Sequence, residues 1–142
     1  MPYGEYPYAV DDKGRVIIPP QFRAFVDDGM VITRGLERCL YIFPTRRWDE
    51  LEEKLENLPV TDTDSRRFTR YFYSGASKVK LDAAGRITLP STLRTFAGLE
   101  NSVMIAGTPN HLEVWDETRW SATIGELQEN LPAPALLTGL VG

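Results

Sequence analysis

Val10-Asp11-Asp12-Lys13-Gly14-Arg15-Val16-Ile17-Ile18-Pro19 returns, 71 residues on, as Leu81-Asp82-Ala83-Ala84-Gly85-Arg86-Ile87-Thr88-Leu89-Pro90. Asp, Gly, Arg and Pro all recur at that one spacing. It extends outward, matching Gly4 with Gly75, Tyr8 with Val79, Arg23 with Arg94 and Phe25 with Phe96. One extra residue then shifts the spacing to 72, pairing Gly35 with Gly107, Leu40 with Leu112 and Trp48 with Trp120. Each copy is too short to bury a core of its own, so the duplication predicts one pseudo-symmetric domain built from both halves.

Within each copy, residues before the Asp-x-x-Gly-Arg turn alternate in direction. Tyr6, Tyr8 and Val10 share one face, as do Ser77, Val79 and Leu81. After the turn come Val16-Ile17-Ile18 and Ile87-Thr88-Leu89, rich in β-branched residues, which predicts strand, tight turn, strand. Pro19 and Pro90 end the pairing, and 21–25 and 92–96 read as short helical turns. A second strand pair follows in each copy, over 30–33 with 40–43 and over 103–106 with 112–115.

Amphipathic helices come next. Trp48, Leu51, Leu55 and Leu58 form one apolar stripe, and Trp120, Ile124, Leu127 and Leu131 form another; both Trp rings are expected to be mostly buried. Thr61-Asp62-Thr63-Asp64 offers caps for a further helix containing Arg66 to Phe72. The tail from Leu131 lacks polar periodicity and is expected to be mobile. The fold class is mainly β with flanking helices, α+β.

At 142 residues and 42% hydrophobic content, the composition is that of a globular domain. No apolar run is long enough for a membrane span, and the Met-Pro-Tyr-Gly-Glu start does not read as a signal peptide. The single Cys39 excludes an internal disulfide framework and fits a reducing cytoplasm. His111 lies in a Pro-Asn-His turn without a ligand-spaced partner, so no metal or other cofactor is expected.

The net charge of −4 at first argues against a nucleic-acid partner, but its distribution softens the objection. Residues 1–47 hold seven Lys and Arg against six acids, whereas 48–70 hold four against seven. The acid is concentrated over 49–56, a solvated helix face, which leaves room for a locally basic surface.

Catalysis has little to stand on: no Ser/His/Asp or Cys/His set and no phosphate-cradling glycine loop. Asp11 and Asp82 are each followed four residues later by Arg, which would keep them ionised instead of poised for proton transfer. The Asp-x-x-Gly-Arg loop itself has two physical readings. Asp can accept from turn N–H groups and face Arg, fixing the loop; or the rigid turn can present Arg15 and Arg86 to phosphates or guanine edges. The turn alone needs only Gly, so the added Asp–Arg pair in both copies weighs toward function.

The duplicated Leu-Asp-x-x-Gly-Arg-Ile-x-(Ile/Leu)-Pro loops, the Gly4-Glu5-Tyr6 start, Thr33-Arg34-Gly35-Leu36-Glu37-Arg38-Cys39-Leu40-Tyr41 and Leu112-Glu113-Val114-Trp115-Asp116 together resemble the MraZ family of bacterial transcriptional regulators, over residues 3–130. The resemblance implies two tandem SpoVT-AbrB-like units, over 5–47 and 76–119. These would be joined by a helical connection over 48–75 and followed by a C-terminal helix over 120–131 and the tail 132–142. It further implies that swapped hairpins form one pseudo-symmetric barrel. Function follows as an expectation: a cytoplasmic, nucleoid-associated protein that binds double-stranded DNA as a homo-oligomeric ring. Its target would be repeated elements upstream of the division and cell-wall gene cluster.

The loops Asp11 to Arg15 and Asp82 to Arg86 would carry DNA binding, with Arg23 and Arg94 beyond the prolines joining them. Asp12-Lys13 of the first loop is Ala83-Ala84 in the second, so Lys13 is a candidate contact on one side only, with Lys78 and Lys80 as compensating candidates on the other. The competing expectation is an antitoxin-like protein-interaction scaffold of the same fold, acting through the acidic helix and the apolar tail.

Overall fold

The computed structural model describes residues 1–141. Each copy supplies four strands: β1 Glu5–Ala9, β2 Arg15–Ile17, β3 Met30–Arg34 and β4 Leu40–Pro44, then β5 Ser77–Val79, β6 Arg86–Thr88, β7 Ser102–Gly107 and β8 Leu112–Asp116. Six strands form one antiparallel sheet in the order β1-β7-β8-β4-β3-β5, and β2 pairs with β6 as a separate two-stranded ribbon.

The strands flanking each turn do not pair with one another. β1 pairs with β7 and β5 with β3, so each copy donates its first strand to the other, and the expected local hairpins are exchanged between copies. The reason is burial. Tyr6 and Tyr8 pack on the core from the sheet, while Val16, 1% exposed, enters it from the ribbon on the opposite side. A strand pair folded on itself could not serve both layers. Among the described residues the sheet ladder is open, ending on β1 and β5, and main-chain pairing does not join ribbon and sheet into a closed barrel.

The exchange is two-fold symmetric, and its axis can be located from the registers. Val16 faces its own counterpart Ile87 in the ribbon, and Tyr41 faces its counterpart Glu113 where β4 meets β8. The registers also revise the repeat. Tyr8 pairs with Val103 and its counterpart Val79 with Met30, so β3 and β7 correspond at a spacing of 73, not 72. Gly35 is therefore not the counterpart of Gly107. Gly35 N–H bonds Cys39, whereas Thr108 N–H bonds His111, the shorter second turn restoring a spacing of 72.

Alternation places Met30, Ile32, Leu40, Ile42, Val103, Ile105, Leu112 and Val114 on the inner face, with Val16, Ile18, Phe22, Ile87, Leu89 and Leu93 opposite them in one core. Two short helices, α1 Pro20–Arg23 (continuing as a 3₁₀ turn to Val26) and α4 Ser91–Ala97, plug the ends with Phe22 and Leu93.

The outer face carries longer helices. In the first copy, α2 Thr45–Glu56 and α3 Thr63–Ser74 bury Trp48, Leu55 and Phe72 over Val31 and Phe43. Asp62 caps α3, accepting from Ser65 N–H at 2.9 Å. In the second copy, α5 Glu117–Glu129 lies against β7 and β8 with no buried residue. Trp120 is only half-buried, its indole N–H donating to Glu5, while Trp115 beneath it is buried. Residues 134–141 of the tail form a helix, α6 Pro134–Val141, whose side chains are exposed.

Candidate nucleic-acid interface

Both Asp-x-x-Gly-Arg loops close in the same way. Asp11 Oδ1 accepts from the N–H groups of Lys13 (3.0 Å) and Arg15 (2.8 Å), and its Oδ2 accepts from Arg15 Nε at 2.7 Å. Asp82 takes Ala84 N, Arg86 N and Arg86 Nε, each at 2.9 Å. The main chain reinforces the turn, with Gly14 N–H on the Asp11 carbonyl and Gly85 N–H on the Asp82 carbonyl. The backbone N–H of Arg15, then its guanidinium, hold the Asp11 carboxyl below its ordinary value of 3.8 despite some desolvation; Arg86 does the same for Asp82. These acids stay ionised as struts. The structural reading of the loop is thus realised, and it leaves the functional one intact.

Of its Arg's guanidinium, each Asp engages only Nε. Among the described residues, the two terminal nitrogens of Arg15 and of Arg86 have no hydrogen-bond partner. Register fixes where they stand. Arg15 is opposite Thr88 and Ile17 opposite Arg86, so these four share the outward face of the ribbon while Val16 and Ile87 point inward.

The helix arginines complete the arrangement across the pseudo-dyad. Arg94 donates from Nε to the Leu89 carbonyl at 3.3 Å, and its guanidinium lies over Gly14 of the other copy's loop. Arg23 donates to the Ile18 carbonyl at 3.1 Å and covers Gly85. Those glycines are required twice over. Their φ angles are +77° and +79°, and a Cβ on Gly14 would sit 2.8 Å from Arg94 Cζ. The main chain crosses as well, Ile18 N–H bonding Gly85 and Leu89 N–H bonding Gly14. Each loop therefore holds its own Arg and one from the other copy: Arg15 with Arg94, and Arg86 with Arg23.

With Asp11, Asp12, Lys13, Arg15 and Arg94, the first cluster carries a net +1; Asp82, Arg86 and Arg23 give the second the same. Two separate positive clusters therefore mark one surface of a chain whose net charge is −4.

The remaining candidates divide. Lys13 sits exposed at the tip of the first loop. Lys78 lies opposite Val31, which turns it to the outer face beside Trp48, Glu52 and Tyr73. Lys80 lines a hollow with Asp27 and Asp28. The structure thus brings seven of the nine candidates together and leaves Lys78 and Lys80 beside carboxylates. What the sequence did not reveal is the crossing: a repeat spacing shows that Arg23 and Arg94 are equivalent, not which loop each one reaches.

Elsewhere the reactive side chains are structural. Cys39 is buried with Sγ on the Leu36 carbonyl, and burial pushes its thiol far up. His111 is held by Glu113 at 3.1 Å and lies tilted against the Tyr41 ring, 4.2 Å between centres. Among the described residues no three His, Cys, Asp or Glu side chains gather at metal-binding distance, and no helix is long and apolar enough to cross a membrane.

Comparison with known proteins matches this duplicated architecture. The family described as "MraZ protein, putative antitoxin-like" matches twice, over residues 1–71 and 72–136. The transcriptional regulator MraZ of Deinococcus radiodurans is 55% identical over 141 residues, 99% of each chain. The protein of the same name from Thermus thermophilus is 55% identical over 144 aligned positions, covering both chains fully. That of Acetivibrio thermocellus is 45% identical over 136, covering 96% of this chain and 94% of its own. The chain belongs to the MraZ family.

Proposed function

We propose that the chain is a sequence-specific, DNA-binding transcription regulator that reads double-stranded DNA with the β2–β6 ribbon and its two loops. The observation that carries this reading is the ribbon's outward face, where Arg15 and Arg86 keep their terminal nitrogens open while Asp11 and Asp82 fix their aim. A two-stranded ribbon fits the major groove, and an Arg with two parallel free donors matches the O6 and N7 acceptors of guanine. Arg23, Arg94 and Lys13 lie where flanking phosphates would run; such contacts set register and supply salt-dependent affinity.

One ribbon offers few cationic contacts on an acidic body. Several copies joined in a ring raise the effective concentration of each further loop, so repeated elements bind far better than one. By its resemblance to the family, such a ring would act in the cytoplasm at the nucleoid, on repeats upstream of the division and cell-wall gene cluster. The test is a titration of DNA from upstream of that cluster, carrying one, two or three elements, over a range of salt. Affinity should fall steeply with salt, by roughly 0.9 log units per log unit of salt for each phosphate neutralised, and rise sharply from one element to two. A flat salt response would refute it. The second reading is a protein-interaction scaffold, favoured by the exposed apolar side chains of α6; co-purification of a protein partner with no DNA affinity would support it.

A further inference from the structure

The outward face of the β2–β6 ribbon consists of four side chains arranged in two levels. Arg15 stands opposite Thr88 at one level, and Ile17 opposite Arg86 at the other. The levels are two residues apart along each strand, about 6.8 Å, which matches two base-pair steps of roughly 3.4 Å. Directly opposed residues have Cβ atoms about 4.5–5.5 Å apart, so the partner of each Arg lies beside whatever base that Arg holds.

The pseudo-dyad relates Arg15 to Arg86 and Ile17 to Thr88. The arginines obey it; their partners do not. Thr88 is exposed and carries a hydroxyl, which can donate to or accept from any base edge. Ile17 is half-buried, has only aliphatic groups to offer, and is not among the hydrophobic side chains packed on the core. Its aliphatic surface therefore faces outward beside a guanidinium without serving the interior. In the major groove thymine alone presents an apolar group, its C5-methyl, so an aliphatic side chain at that level can favour only thymine.

We infer that Ile17 is a specificity-determining residue: it contacts the C5-methyl of a thymine next to the guanine held by Arg86, and so fixes which way round the chain sits on its DNA element. The inference rests on the DNA-reading ribbon proposed above and adds an orientation to it. Two equal arginines on a two-fold ribbon would read an element equally well in either sense. Lys13 has only Ala84 as its counterpart, but a phosphate contact carries no sequence information. Ile17 against Thr88 is the one difference in chemistry on the ribbon's outward face, and thus the one there that can couple orientation to sequence.

The test uses the full chain and double-stranded DNA from upstream of the division and cell-wall gene cluster. Thymine is replaced by deoxyuridine at one position of one element at a time, which deletes the methyl and leaves base pairing intact. At the thymine beside one guanine the wild type should lose about fourfold in affinity, the worth of one buried methyl. In Ile17→Ser that position should become indifferent to the replacement. In the exchange variant, Ile17→Thr with Thr88→Ile, both ribbon strands stay β-branched, and the preference for thymine should move to the step beside the other guanine. Melting temperatures confirm the fold of each variant. A wild type that binds the DNA but ignores every deoxyuridine would overturn the inference and leave the DNA-reading ribbon standing. A loss that persists in Ile17→Ser, or a preference that stays in place in the exchange variant, would assign the methyl to another residue and overturn it too. A wild type with no affinity for the DNA would overturn both readings.

Discussion

The loops of the two copies agree hydrogen bond for hydrogen bond, whereas their outer helices do not. Asp11 and Asp82 each hold two backbone N–H groups and one Arg Nε; Trp48 and Trp120 start equivalent helices and end in different environments. These carboxylate bonds match because every partner of each Asp lies within four residues, so the same short sequence yields the same geometry in both copies. The helices differ because α3 packs back on β3 and buries Phe72 against Trp48, while α6 buries none of its described side chains. Duplicated sequence guarantees duplicated local structure; it guarantees duplicated packing only where the flanking chain is duplicated too.

That asymmetry should be largest in stability. Trp48→Ala is expected to cost about 3–5 kcal/mol in urea unfolding, the range for a large buried aromatic. Trp120→Ala should cost less than about half of that, since part of its ring already meets water. Equal losses would mean that the second helix is covered as well as the first.

Next in size come the arginines. Arg15→Ala should weaken binding to operator DNA by about 1–3 kcal/mol without a matching fall in melting temperature, and Arg86→Ala by somewhat less, because Lys13 supports only the first loop. A binding loss accompanied by an equal loss of stability would assign the Arg to the scaffold. Gly14→Ala and Gly85→Ala probe the crossed arginines. Each should cost about 1–2 kcal/mol for left-handed backbone alone, and displacement of Arg94 or Arg23 should lower DNA affinity as well. Unchanged affinity in both would remove the crossed pair from the interface.

A smaller effect is expected from Lys13→Ala, which should make the salt dependence of DNA binding shallower by about one unit per engaged subunit; the first loop alone has a residue to lose there.

The gentlest probe is acid. Asp11 and Asp82 titrate below 3.8 in the fold, so their stabilising contribution is complete above that value and is lost as pH falls through the lower folded values. Glu113 acts in the same sense: burial pushes it up, but hydrogen bonds from His111 and Trp115 outweigh this and leave it lowered. Melting temperature should therefore owe no pH dependence to these groups from neutrality down to their ordinary values, then fall. Asp11→Asn with Asp82→Asn should soften that fall without abolishing it. An unchanged acid response would show that the struts are not what holds the loops.

The sequence by itself determined everything that depends on near neighbours. Gly at left-handed φ, Asp two and four residues before the N–H groups it accepts from, and Arg within reach of that Asp specify each loop without reference to the rest of the chain. The β-branched runs, the Asp62 cap and the stripe through Trp48 and Leu55 are legible for the same reason, and the duplication announced the two-fold design. Tertiary structure decided which strand pairs with which. Hydrogen-bonding edges are alike in every strand, so only burial of Val16 and Ile87 against the inner sheet face separates β1 from β2 and sends each to the other copy. It decided, too, that Arg94 belongs to the first loop and Arg23 to the second, that Lys78 and Lys80 line hollows away from the loops together with acidic residues, and that the repeat slips by two residues before β7. Trp120 remained open on the same principle: an amphipathic stripe states what a helix can bury, and only the neighbouring elements determine whether anything arrives to bury it.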